Sequence, residues 1–273
     1  MYPLRNIWIL GKSTFVEGIR HRALWAILGL AIFLTMTNVM VATLFNWDIG
    51  KVSIEFGLSA IAISGLLLVF FLGLKIMTDD LERSRIYMIL SRPVSIREYL
   101  FGKYLGLALI LLAATIILGI SAGCSMGYVL YTSPAYVPPG FSWDIYLMAL
   151  SCQYISLLVI LALSFFWFSL ASQSFVALLL SALSYLVGQN METLRYVIEK
   201  NSQAGLLAGQ ESLIKIISWI FPNLSLFDKK YEAAYGLSFS IREFFFISGY
   251  GLSYTLLLLW LAAFLYQRKE LAA

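Results

Sequence analysis

Charge-free apolar runs divide this chain into membrane-length pieces. No Asp, Glu, Lys or Arg interrupts Ala23 to Trp47, Phe56 to Leu74, or Tyr104 to Trp143. The same holds from Ile145 to Met191, where a polar hinge, "SLASQS" (169–174), separates two pieces, and from Phe244 to Gln267. A helix needs about 20 consecutive apolar residues to cross a bilayer. The runs are rich in Leu, Ile, Ala and Phe and lack two-residue alternation, which favours helices over an outer-membrane barrel. The pattern predicts an all-α polytopic membrane protein forming a single transmembrane domain over 1–273. Its six transmembrane helices fall at about 23–46, 56–76, 99–130, 144–168, 174–190 and 242–267.

Between the spans lie amphipathic stretches. Residues 1–22 read as an N-terminal amphipathic helix. After the second span, Thr78 to Leu90 reads as a short helix that Pro93 ends, because proline biases the residue before it away from helix. "VSIREY" then restarts a helix: Ser95 caps it, Glu98 three residues on completes a capping box, and Val94 with Tyr99 forms a hydrophobic staple. The letters "SIRE" return at Ser240 to Glu243, where Phe239 and Phe244 are the staple pair. This repetition is two uses of one N-cap rather than a repeat. The connection 191–241 holds two further periodic segments, "METLRYVIEK" and "GQESLIKIISWIF", predicted to lie on or dip into a membrane surface.

Composition sharpens the class. The chain is 60% hydrophobic and 12% charged, against roughly 45–50% and about 25% in soluble domains. The first apolar run is too long for a cleavable signal peptide, and no small-residue cleavage site precedes "NWDIGK". Orientation follows the basic residues near span ends. Arg5, Lys12, Arg20, Arg22, Lys75, Arg83, Arg85, Arg92, Arg97, Lys103, Arg268 and Lys269 share one side, whereas the short loops of the other side hold Lys51 alone. Both termini are therefore expected in the cytoplasm. Basic residues flanking spans also suit anionic headgroups, so the net charge of +4 needs no nucleic acid.

Candidate chemistry is sparse. "GKST" at Gly11 to Thr14 resembles the tail of a phosphate-binding loop, but that loop needs a glycine five positions earlier and a flexible turn. Asn6 stands there, followed by Ile7, Trp8, Ile9 and Leu10. The span middles carry no ionisable residue, which argues against an ion-relay transporter; Glu55 and Lys75 lie near span ends and are expected to snorkel. Asn38, Gln153, Gln189 and Asn190 are the amides in or beside spans, read first as interhelical hydrogen-bonders and second as lining a pathway or dimer seam. The span serines have no neighbouring base, His21 is the single histidine, and Cys124 and Cys152 read as packing residues, so neither a metal site nor a catalytic residue is expected.

With six spans, the amphipathic N-terminal helix leading into "EGIRHRALW", the connection "LSRPVSIREYLFGKYLG", the amphipathic segment before the sixth span and the terminal "YQRKEL", the chain resembles the permease subunits of the type 2 exporter class of ABC transporters. The most specific stretch is Leu90 to Gly106. Ser84-Arg85 stands where many members have Gly-Thr, and the arginine after the serine is displaced to Arg97 by Ile96.

The resemblance implies a subunit with no ATPase of its own and no cofactor, working with ABC ATPase subunits that bind Mg-ATP. It implies a second permease copy, identical or not, in a bacterial inner (cytoplasmic) membrane. Residues about 78–92 would form a coupling helix seated on the ATPase, with Asp79, Asp80, Glu82, Arg83, Arg85, Arg92, Pro93 and Arg97 as coupling residues. Leu4 to Ile19 would lie along the inner surface against lipid as an elbow. Two functions follow. The chain exports a substrate, or it transmits ATPase motion to a periplasmic partner without moving a cargo. A vestibule lined by Asn38, Gln153 and serines favours the first; a dry, closed seam favours the second.

Overall fold

The computed structural model describes residues 3–44, 49–82, 95–132, 134–171, 173–201 and 220–271. Ten helices order these residues: α1 (Pro3–Arg20), α2 (Arg22–Thr43), α3 (Ile49–Leu67), α4 (Leu74–Glu82), α5 (Ile96–Thr132), α6 (Trp143–Leu170), α7 (Ser174–Gln189), α8 (Met191–Asn201), α9 (Lys230–Tyr235) and α10 (Ile241–Leu271). No strand occurs among the described residues.

Five stretches are long and apolar enough to cross a membrane: Arg22–Val41, Ile49–Asp79, Ile96–Thr132, Trp143–Leu170 and Ile241–Gln267. Ser174–Gln189, expected as a span, is a shorter apolar helix, about 24 Å long at 1.5 Å per residue. α5 and α6 are apolar on every side, the character of helices surrounded by protein and lipid rather than water.

The helix ends obey local chemistry. Glu98 N–H donates to Ser95 Oγ at 3.3 Å, and Ser95 N–H donates back to Glu98 Oε2 at 3.1 Å. Ser240 and Glu243 make the same reciprocal pair, each bond 3.2 Å, and the Phe239 and Phe244 rings meet edge to face. Both expected capping boxes are present, while Val94, half of the other staple, lies outside the described residues.

One expected boundary moves. The helix predicted to begin at Thr78 is instead continuous with the second span: α3 passes through a π-helical turn, Leu68–Gly73, directly into α4. Nothing in 67–79 breaks a helix except Gly73, and a single glycine in a packed span is tolerated. The π turn leaves Phe71 exposed while Leu72 and Gly73 stay buried.

α6 is the hub, with α10, α7 and α5 packed round it. Cys152, Leu157, Val159 and Ala162 have no exposed surface. α2, α3 and α5 form a second packed group. By contrast Trp25, Phe33 and Met40 on α2, and Phe245, Leu256 and Trp260 on α10, are exposed. Large apolar side chains arrayed along helices of spanning length need lipid or protein round them. The fold is thus that of an all-α, membrane-embedded polytopic protein.

At the end of the bundle away from α1, residues 222–235 fold back onto it. Leu224, Phe227, Ala233 and Ala234 are buried, with α9 packed on α3 and α6. Two left-handed glycines make the close approach: Gly236 has φ 62° and Gly140 φ 92°. A Cβ on Gly236 would stand 2.5 Å from the Pro139 carbonyl oxygen. Of the periodic segments expected here, α8 is present, and most of "GQESLIKIISWIF" lies outside the described residues.

Candidate functional site

Three places collect the residues singled out from sequence. The first is the α1 end. Gly11 to Thr14, the "GKST" letters, are helical, and the side of α1 that packs carries Leu10, Gly11, Thr14 and Gly18 against α5. A Cβ on Gly102 would lie 2.6 Å from the Leu10 Cβ, and one on Gly106 would lie 2.6 Å from the Gly11 carbonyl oxygen. Gly102 and Gly106 are spaced as the small-xxx-small pattern that lets two helix backbones approach. The seam is then locked by polar pairs. Lys103, 5% exposed, meets Glu17 Oε2 at 3.2 Å. Asn6 Nδ2 donates to Glu98 Oε2 at 3.2 Å. None of these pairs was legible in the sequence, although the Gly102/Gly106 spacing was a signal for the seam.

Lys12 and Ser13 are exposed. Leu4, Trp8, Ile9, Val16 and Ile19 are exposed with them, so the face of α1 turned from α5 is itself amphipathic and suited to lying in a membrane interface.

The structure describes some of the residues assigned to coupling. Asp79 pairs with Lys75 at 2.9 Å, one turn earlier. Arg97 Nη2 donates to Gln267 Oε1 at 3.2 Å, tying the start of α5 to the end of α10. Asp80 and Glu82 belong to α4, but their side chains, and Arg83, Arg85, Arg92 and Pro93 entirely, lie outside the described residues.

The second place is the α2–α3–α5 seam. Asn38 is fully buried, and its Nδ2 donates to Ser53 O at 3.0 Å, Ser53 Oγ at 3.1 Å and Ser125 Oγ at 3.1 Å. Thr35 Oγ1 and Ser121 Oγ lie 2.7 Å apart one turn away. Asn38 is therefore an interhelical hydrogen-bonder, while its Oδ1 is buried with no partner among the described residues. Asn190 is exposed and bonds back to Leu186 O, so it joins no shared site. Several other span hydroxyls, such as Ser64, Thr115, Ser164 and Ser181, donate to the carbonyl four residues earlier.

The third place is a cavity of about 170 Å³ between α3, α6, α7 and the returning segment. Gln153 and Gln189 meet here, with Ser59, Ser156 and Tyr185. These five side chains make no hydrogen bond to another described residue, and the Gln189 Oε1 is buried without a partner. Asp228 and Lys230 complete the wall, paired with each other at 3.1 Å. Sequence reasoning found the two amides but not their convergence, nor the ion pair, which comes from the connecting segment.

Two smaller expectations change. Glu55 does not simply snorkel, since its Oε1 is buried with no hydrogen-bond partner among the described residues. Cys152 is packed as expected, whereas Cys124 is exposed on α5. His21 sits at the α1–α2 joint, its Nδ1 accepting from Ala23 N–H at 3.3 Å. Among the described residues no group of His, Cys, Asp and Glu has the makings of a metal site. Compared with known proteins, the chain matches no family model and no curated protein.

Proposed function

We propose that this chain is the transmembrane permease subunit of an ATP-driven exporter, which couples hydrolysis on a separate ATPase subunit to movement of a substrate across a bacterial inner membrane. The observation that carries transport, rather than mechanical transmission alone, is the polar cavity: the Gln189 Oε1 there is buried with no partner among the described residues, which is costly unless something hydrates or binds it. The resemblance at Leu90 to Gly106 supplies the energy source, and the helices' lack of mid-span ion-relay groups fits a drive from outside the chain.

In this reading α7, over 174–190, is the fifth of six crossings, and α8 lies at the outer surface. The basic residues put α1, α4 and the start of α5 at the cytoplasmic face and the cavity toward the outer side. ATPase closure displaces the 79–92 connection. The restart of α5 follows it, and the tight α1–α5 seam makes these two helices move as one lever, with Arg97 and Gln267 passing the motion to α10. Such rigid-body rocking alternately opens a bundle to its two sides. A second permease copy completes the complex, and Mg-ATP binds the ATPase pair.

The test is reconstitution with the cognate ABC ATPase. Charge reversal of Arg83 and Arg85 is expected to abolish stimulation of ATP hydrolysis while the chain still folds; undiminished stimulation would refute the coupling assignment. The chain purified alone is expected to take no photolabel from an ATP analogue.

A further inference from the structure

We infer that the cavity between α3, α6, α7 and the returning segment is a binding site for a small neutral polyhydroxyl group. Calling that group cargo rests on the exporter reading above; the binding itself does not.

The argument begins with hydrogen-bond inventory. Gln153 and Gln189 each offer two N–H donors and a carbonyl acceptor, and the hydroxyls of Ser59, Ser156 and Tyr185 each donate or accept. All five converge on one cavity and make no hydrogen bond to another described residue. Their neighbours in the same helices behave otherwise: Ser64 of α3, Ser164 of α6 and Ser181 of α7 satisfy themselves on the backbone. A set of mixed donors and acceptors pointing into one space suits a ligand that is itself both donor and acceptor on several atoms.

Charge narrows the class. The ionised groups in the wall are Asp228 and Lys230, and they neutralise one another at 3.1 Å. An anion would meet the Asp228 carboxylate and a cation the Lys230 ammonium, each displacing a made ion pair. A neutral group displaces neither.

Volume bounds the size. A cavity of about 150 Å³ accommodates benzene, so 170 Å³ admits a group on the order of six to eight non-hydrogen atoms, the size of a three- or four-carbon polyol. Ile63 forms part of the wall and is itself 54% exposed on α3, so the cavity reaches the bundle's flank. The polyol can therefore arrive free in solution or as the headgroup of a neutral lipid.

The experiment uses the full chain with no ATPase present. Saturation-transfer NMR in detergent measures free glycerol and erythritol against glycerol 3-phosphate. Native mass spectrometry from phosphatidylcholine nanodiscs measures retention of monoolein, whose headgroup is glycerol, against anionic phosphatidylglycerol. The expected result is transfer to the neutral polyols, or selective retention of monoolein, reduced at least fivefold in Gln153→Leu and Gln189→Leu; the first arm assigns a soluble source and the second a lipid one. Gln189→Leu removes an amide whose Oε1 is buried without a partner and Gln153→Leu a half-buried amide with no hydrogen bond to lose, so each thermal midpoint is expected to hold or rise, a combination that a merely structural role would not produce. Ser59→Ala, on a half-buried hydroxyl with no bond to lose, provides a gentler variant expected to weaken the same signal. Absence of both signals, equal binding of the charged analogues, or binding unchanged in all three variants would overturn the inference. Absence of binding to the parent chain, with its stimulation of the ATPase intact in the reconstituted complex, would sink this site and leave the exporter reading standing.

Discussion

The Lys103 ammonium, 5% exposed, is held 3.2 Å from the Glu17 carboxylate across the seam between the first and fifth helices. This pair joins an amphipathic helix to the base of a membrane-length one, directly over the glycines that let their backbones meet. A charge this enclosed is retained because its partner is there. Removing the partner of a fully buried pair costs roughly 3–5 kcal/mol. The Glu17 side chain is 35% exposed, and water offsets much of that, so Glu17→Gln is expected to cost about 1–2 kcal/mol. Lys103→Met in the Glu17→Gln background should restore part of the loss. Thermal unfolding in detergent reads both, and an unaltered midpoint in Glu17→Gln would show that the pair stabilises nothing.

The glycine seam makes a steric prediction. Gly106→Ala places a methyl group 2.6 Å from the Gly11 carbonyl oxygen, and backbone cannot yield as a flexible side chain does. The first helix must shift outward, at about 1–3 kcal/mol. Limited proteolysis should cleave within 3–20 faster in this variant. Gly249→Ala is the control, since nothing among the described residues lies within 4 Å of a Cβ there.

The two "SIRE" boxes separate local from tertiary worth. Glu98 and Glu243 each accept from the cap residue's N–H, but Glu98 also accepts from Asn6. Glu243→Ala is expected to cost about 1 kcal/mol, an ordinary cap loss. Glu98→Ala should exceed it by roughly another 1 kcal/mol, the net value of a hydrogen bond. Equal losses in a side-by-side melt would mean that the Asn6 contact contributes nothing.

Asn38 binds three helices together through Ser53 and Ser125. Interhelical hydrogen bonds in membranes average about 0.6 kcal/mol each, so Asn38→Leu should cost on the order of 1–2 kcal/mol. Because its amide joins three helices, transport by the reconstituted complex should survive wherever the variant folds. Loss of transport at full stability would place Asn38 on the pathway after all.

At the opposite end, Gly236→Ala confronts both a left-handed backbone, worth about 1–2 kcal/mol, and the Pro139 carbonyl 2.5 Å away. The returning segment should loosen, and faster hydrogen exchange over 222–235 would report it. Exchange as slow as in the parent would show that the segment is held by its buried Leu224 and Phe227 alone.

Local rules were sufficient for the elements. Charge-free runs mark the spans because no charge is cheaply placed in hydrocarbon, and Ser95–Glu98 and Ser240–Glu243 mark helix starts because a cap acts within one turn. The start of the fourth helix was misplaced for the same local reason: polar Thr78 and Asp79 looked like a new beginning, yet no breaker separates them from the span.

What the chain determines by itself is thus its class, its helices and the dearth of mid-span ionisable groups. Tertiary structure decided which helix faces meet. Gly102 and Gly106 carry a small-xxx-small spacing, but glycines count as neither apolar nor polar in a periodic pattern, so their meeting with Gly11 was not legible until two backbones were seen to touch. Gln153, Gln189 and Asp228 lie on separate elements, and their spacing along the chain carries no information about convergence. The polar cavity, and with it the case for a bound group, exists because three helices and a returning loop close round the same volume.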